Sequence, residues 1–121
     1  NDKLMQAAQV RADEMAASGV YSHTRPDGRK YTTVTDCKYI GENIHLIGEW
    51  QLRDSSLPSF AVEAWKNSAA HLKNMLNTRY HAIGVGVSQG TVMGEPYWYC
   101  VQLFLLDGYN VTWVDAPAAK G

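Results

Sequence analysis

Three segments of the chain carry side chains that could share one chemical site. His23 lies in a turn at 22–28, Glu42 lies in a second turn at 41–44, and His71 lies on an amphipathic helix. Two neutral imidazoles are common ligands of zinc. A nearby glutamate could orient a histidine, complete the ligand set or act as a base on metal-bound water. If the fold brings the three together, the pattern predicts a metal site with an open position, which suits hydrolysis.

A structural role for the same residues is the alternative. His23 would then brace the Pro-Asp-Gly turn that follows it, and Glu42 would hold backbone amides of irregular loops. A serine nucleophile is less favoured. Ser68 lies three residues before His71 on a helix and could meet it, but neighbours such as Ser22 and His23 point apart on an extended segment. Neither serine lies in a Gly-x-Ser-x-Gly elbow.

The helix that carries His71 is predicted from its apolar spacing. The segment 61–76 reads AVEAWKNSAAHLKNML. Its apolar stripe comprises Val62, Trp65, Ala69, Leu72 and Leu76. His71 lies roughly 120° from Trp65 at about 100° per residue, which would place it at the rim of a cleft. We expect this helix to begin after Ser59, to break near 67–68 and to resume to about 77.

The remaining elements follow from periodicity and turn chemistry. A first helix is predicted over 2–18, with Leu4, Ala8, Ala12 and Met15 at helical spacing and Gly19 as its stop. Pro26-Asp27-Gly28 predicts a turn, and 32–57 reads as irregular, with room for short pieces of helix or strand.

The last third of the chain is strand-like. Apolar residues alternate with Gly84 and Gly86 over 83–87, and a bare glycine face predicts close approach by a helix or by another backbone. The segment 97–106, YWYCVQLFLL, is apolar on both faces and predicts a central strand. A loop at 90–96 would join the two as an antiparallel hairpin, and 111–114 could add an edge strand. The sum is an α/β fold, a helix–sheet–helix sandwich.

Composition bounds the classes of function. A chain of 121 residues with 45% hydrophobic residues is one globular domain, which we place at 1–115 with a tail or linker at 116–121. The formal net charge is −1 and there is no basic run, so nucleic acid and anionic membrane surfaces are poor partners. No apolar run is long enough to form a transmembrane segment. Because Asn1-Asp2 leads straight into a helix, we expect the chain to be part of a longer protein.

The two cysteines, Cys37 and Cys100, fit no metal-binding spacing. They are either two buried free thiols or one disulfide, which would contribute roughly 4 kcal/mol in the chain-entropy model because its loop is long.

Five segments in order resemble the CAP superfamily, which comprises cysteine-rich secretory proteins, antigen 5 and pathogenesis-related 1 proteins, also called SCP domains. They are GVYSHTRPDG, GENI, AVEAWKNSAAHLKNML, YHAIGVGV and YWYCVQLF. The short W-x-N-S-x-x-H-x-x-N-x-L form is similar to the bacterial branch. The resemblance covers 4–104. It implies a three-layer α-β-α sandwich with a central, mainly antiparallel sheet, and a secreted, extracellular or cell-surface location, which in turn favours oxidation of Cys37 and Cys100 to a disulfide.

The resemblance also implies a central cavity lined by two histidines and acidic residues. In some members this cavity binds Zn²⁺ or another divalent metal. By motif position, His23 and His71 match the cavity histidines and Glu42 matches the glutamate of the G-E-N turn. The family's second glutamate falls on Ser68 here, and Glu63 is not placed in the site. We therefore expect a module that binds a small ligand, a lipid, a cell-wall component or a host protein. The alternative is a peptidase-like, metal-dependent hydrolase that uses His23, Glu42 and His71.

Overall fold

A three-stranded sheet with a helix packed on one face forms the described part of the molecule. The computed structural model describes residues 2–52, 63, 66, 73, 75–77 and 79–116. In chain order the elements are α1 (Asp2–Ser18), a 3₁₀ turn (Tyr31–Val34), β1 (Ile40–Gly48), α2 (Glu49–Leu52), β2 (Tyr80–Val92) and β3 (Glu95–Leu106). The strand order is β1-β3-β2 and both pairings are antiparallel. The central position predicted for 97–106 is confirmed.

The first helix has the bounds that its apolar spacing predicts. Its fully buried residues are Leu4, Ala7, Ala8, Arg11, Ala12 and Met15. Gly19 follows the last turn with a left-handed φ of 74°, and its amide donates to the Met15 carbonyl at 2.8 Å. A residue with a Cβ would be strained in that conformation. The helix therefore ends where the sequence places its stop.

Gly84 and Gly86 are the points at which α1 touches β2. A Cβ placed on Gly84 would lie 2.5 Å from the backbone of Leu4, and one on Gly86 would lie 2.5 Å from the backbone of Ala8. Both distances are far below ordinary van der Waals contact. The bare glycine face thus receives a helix, as predicted.

The hairpin between β2 and β3 is tighter than the sequence suggests. The loop predicted at 90–96 is wrong, because β2 runs to Val92 and β3 begins at Glu95. Met93 and Gly94 form the connection, with φ values of 52° and 82°. Positive φ at both central residues is the conformation that matches the twist of paired strands. The usual sequence signal for this turn is Asn-Gly. Here methionine, which rarely adopts positive φ, occupies the first central position, so the sequence lacks that signal.

Within the region 32–57, which the sequence predicts to be irregular with at most short pieces of helix or strand, Ile40–Gly48 forms the nine-residue strand β1, which pairs with residues 97–105 of β3. Apolar residues on this strand are interrupted by Glu42, Asn43 and His45, and this interruption hides the strand pattern. Glu42 and Asn43 are buried and paired with partners far away in the sequence. Local periodicity could not reveal those partners.

The second face of the sheet carries a smaller apolar cluster. Ile47 and Cys100 are fully buried there, packed against Leu52, Met75, Val87 and Trp98. Of the predicted helix that would cover this face, Glu63, Lys66, Lys73 and Met75 are described and helical. Leu76, placed on the apolar stripe by the sequence, lies in the turn after Met75 and is 69% exposed. The rest of that helix, including Trp65, Ser68 and His71, lies outside the described residues, so the third layer of the sandwich stays a prediction.

Two further expectations differ from the structure. The segment 111–114 does not form the predicted edge strand. Among the described residues, its pairing is one isolated β-bridge between Val114 and Thr35. Cys37 and Cys100 are both free and buried. Cys37 belongs to the large core on the α1 side of the sheet and Cys100 to the cluster on the opposite side, so the structure does not form the hypothesised disulfide.

Candidate functional site

Glu42 lies on the α1 side of β1, and its side chain is fully buried. Arg11 of α1 approaches it with a guanidinium that is also fully buried. The Arg11 Nε donates to Glu42 Oε2 at 2.7 Å and the Arg11 Nη2 donates to Oε1 at 3.1 Å. This two-pronged contact engages both carboxylate oxygens. Burial alone would lower the pKa of Arg11, but hydrogen bonds and charges from Glu42 and Glu14 outweigh it and raise that pKa. The pair is therefore a stable ion pair.

His23 shares the same carboxylate. Its Nδ1 lies 2.8 Å from Glu42 Oε1, while 53% of the His23 side chain is exposed. An ionised carboxylate only accepts hydrogen bonds, so Nδ1 carries the proton in the neutral ring. The lone pair of the neutral imidazole is then on Nε2. Glu42 thus orients a histidine, which is one of the roles predicted for it.

Arg11 is the member of this site that sequence reasoning missed. It lies seven residues after Leu4 and four before Met15, which places a cationic side chain on the apolar stripe of α1. A buried arginine needs a carboxylate partner. That position was a signal that a carboxylate is buried against α1, and Glu42 is the partner.

The ion pair continues away from His23. Arg11 Nη1 donates to Glu14 Oε1 at 2.9 Å, and Glu14 also accepts from Arg25 Nε at 3.0 Å. Arg25 in turn donates from Nη1 to Asp115 Oδ2 at 2.9 Å. The alternating charges join α1, the turn after it and the end of the described chain. They fix the position of the turn segment that carries His23.

Asn43 and Gln102 form a separate polar pair on the opposite face of the sheet. The Asn43 Nδ2 donates to Gln102 Oε1 at 3.0 Å, and both residues are buried. Asn43 lies on β1 and Gln102 on β3, 59 positions later, so the pair joins two neighbouring strands. Because the pair lies across the sheet from Glu42, it is not part of the same site.

The structure thus brings together two of the three predicted site residues, His23 and Glu42. His71 lies outside the described residues, so its meeting with them stays a prediction. The segment 86–90 reads GVSQG and matches the spacing of a nucleophile elbow. It runs within β2 rather than at a strand-to-helix turn, so Ser88 has no elbow geometry.

Comparisons with known proteins decide the family. The family model described as "Cysteine-rich secretory protein family", CAP, matches residues 1–104. The chain belongs to the CAP family. A CAP relative named "Uncharacterized protein YkwD", from Bacillus subtilis (strain 168), is 28% identical over 99 residues, which cover 80% of this chain and 37% of that protein. The chain therefore spans little more than a third of that relative's length.

A solved structure shares the fold of this chain. An outer surface protein from Borrelia burgdorferi matches with a TM-score of 0.56 and 16% identity, covering 88% of this chain and 76% of that one. At this identity the likeness concerns the fold alone. Within the described residues, no helix of this CAP chain has the length and apolar character needed to cross a membrane.

The described residues fit a metal only in part. They contain no group of three or more His, Cys, Asp or Glu side chains that could hold a metal ion. His23 can offer Nε2, because its Nδ1 is bonded to Glu42. Both oxygens of Glu42 already accept from Arg11, and its role as a third ligand stays a prediction. Its geometry is that of a residue that orients a ligand.

Proposed function

We propose that this chain is a CAP-domain binding module that works outside the cell or at the cell surface. Its site would present the Nε2 of His23, together with His71, to a divalent metal such as zinc. The ligands expected for such a module are a small molecule, a lipid, a cell-wall component or a host protein. The observation that carries the proposal is the state of Glu42, which is buried and paired with Arg11.

That ion pair favours binding over hydrolysis. A glutamate base must accept a proton from water during the reaction. Glu42 accepts a hydrogen bond from the buried Arg11 guanidinium at 2.7 Å, and transfer of a proton to Glu42 would leave Arg11 with a weakened partner in a buried place. A bound zinc would supply Lewis acidity and open coordination positions. His23 would hold it and Glu42 would fix the ring that does so.

A zinc titration tests this proposal. Calorimetry on chelator-stripped protein at neutral pH would compare the wild type with His23→Ala and His71→Ala. His81→Ala is the matched control, because His81 is an exposed histidine whose ring lies 3.9 Å from Asp107. We expect stoichiometric binding in the wild type and the control, and its loss in the two site variants. Binding that persists in both site variants, or no binding at all, would contradict the metal part of the proposal.

A protease assay separates the two functions. Labelled casein would be incubated with zinc-loaded wild type and with Glu42→Gln. We expect no turnover by either protein. Zinc-dependent cleavage by the wild type that disappears in Glu42→Gln would refute the binding proposal in favour of the hydrolase.

A further inference from the structure

We infer that Arg11 is a positioning residue for the candidate site: it fixes the His23 imidazole in the form that carries its proton on Nδ1 and its lone pair on Nε2. This inference deepens the proposed function and rests on it for the role of His23. Arg11 is a buried residue of α1, and it acts on His23 through Glu42 and the Ser22 carbonyl.

The Arg11 guanidinium joins helix α1 to strand β1 and to the segment that carries His23. Arg11 Nη2 donates to the Ser22 carbonyl at 2.6 Å and to Glu42 Oε1 at 3.1 Å. Ser22 directly precedes His23, so Arg11 holds both the backbone next to His23 and the carboxylate that accepts from the His23 imidazole. Together these contacts form a closed cycle that runs from Arg11 through Glu42 and His23 and back through Ser22.

This closed cycle of contacts requires an arginine. A guanidinium presents five donors in a planar fork, and Arg11 uses Nε, Nη1 and Nη2 on three residues. A lysine ammonium in the same place would keep the charge but not the fork. It could satisfy one or two of these acceptors, and the carboxylate of Glu42 would lose the two-pronged contact that sets its orientation toward His23. The acceptor of the His23 ring would then be less firmly positioned.

A neutral imidazole has two tautomers, with the proton on Nδ1 or on Nε2. Without a fixed acceptor, both nitrogens compete for the proton and the ring populates both tautomers. Metal-binding histidines are tuned by the hydrogen bond at the nitrogen that does not bind. Loss of Arg11's fork should therefore reduce the fraction of His23 that presents a lone pair on its exposed edge.

Nitrogen NMR of the His23 side chain tests the inference. The chemical shifts of the two ring nitrogens report which of them carries the proton. In the wild type we expect a single form with the proton on Nδ1. In Arg11→Lys we expect a mixture of both forms, together with a 10- to 100-fold loss of zinc affinity, the usual effect of removing a group that supports a metal ligand. Arg29→Lys is the control, because Arg29 is a half-exposed arginine bonded to Asp27 and Asp115.

Each outcome decides one claim. A folded Arg11→Lys with wild-type tautomer and affinity would overturn the inference and leave Arg11 a purely structural residue. If Arg11→Lys does not fold, the wild type alone decides, since a proton on Nε2 of His23 would also overturn it. A tautomer that shifts in Arg11→Lys while the wild type binds no zinc would uphold the positioning role and refute the metal site of the proposed function.

Discussion

The contact between α1 and β2 sets a measurable penalty for adding a single methyl group. In Gly86→Ala the new Cβ would lie 2.5 Å from the carbonyl carbon of Ala8 and 2.5 Å from the amide nitrogen of Gln9. Ordinary contact needs about 3.5 Å or more, so the helix must move by roughly 1 Å. Both obstructing atoms belong to the backbone, so no side chain can rotate out of the way.

The cost follows from what a displaced helix loses. Overfilling a packed core costs roughly 1–3 kcal/mol, while replacing glycine by alanine returns about 0.4–1 kcal/mol through the unfolded chain. We therefore expect Gly86→Ala to lower the free energy of unfolding by about 1–2 kcal/mol. With a urea slope of about 1–3 kcal/mol per molar, the midpoint would fall by roughly 1 M.

Gly41→Ala is the matched control. Its Cβ would meet the hydroxyl end of the Tyr80 side chain, which can move, rather than backbone. Both glycines lie in strands and neither has a positive φ, so their backbone preferences are comparable. Urea unfolding followed by tryptophan fluorescence would measure both variants. Equal midpoints for Gly86→Ala, Gly41→Ala and the wild type would refute the reasoning that the helix backbone is the obstacle.

Three more predictions concern polar and sulfur groups. Hydrogen bonds from arginines lower the pKa of Asp115, so its stabilising contribution should be present above the ordinary aspartate pKa and vanish as the pH falls through the lowered value; Asp115→Asn should flatten this acid limb of the unfolding curve, and a limb identical to wild type would contradict the assignment. Burial raises the pKa of the Cys100 thiol to about 12, and Cys37 is also buried. Both thiols should therefore stay unreactive to a thiol reagent until the protein is unfolded, and a reducing agent should leave the melting temperature unchanged because both thiols are free. Rapid labelling of the native protein or a lowered melting temperature would contradict this prediction. Asn43→Ala should cost about 1–3 kcal/mol in urea unfolding because Gln102 would lose its partner in a buried place, and an unchanged midpoint would show that the pair contributes nothing.

The sequence predicted those elements whose signals are local. The spacing of Leu4, Ala8 and Met15 located α1, and the double-sided apolar run located β3. The turn at Gly28 is also present, with its amide bonded to the Arg25 carbonyl at 2.9 Å. In each case the signal depends on residues that are close in the chain, which is what periodicity measures.

The rest depended on partners that are far apart in the sequence. Glu42 resembles a loop residue until Arg11, 31 positions earlier, is seen to neutralise it. Asn43 likewise needs Gln102, 59 positions later. For the same reason the sequence could nominate His23 and Glu42 for one site but could not show that Glu42 orients the imidazole. That role became visible only when both oxygens were found bonded to Arg11.

The seating of α1 on β2 has a consequence for the order in which the chain can fold. The Gln9 side chain donates to the Val87 carbonyl, 78 positions later, so α1 packs on a strand that is far from it in the sequence. The same strand must also pair with β3 through the Met93-Gly94 turn. Docking of α1 therefore depends on the formation of the hairpin of β2 and β3. Contacts this distant in the chain are typical of domains that fold slowly.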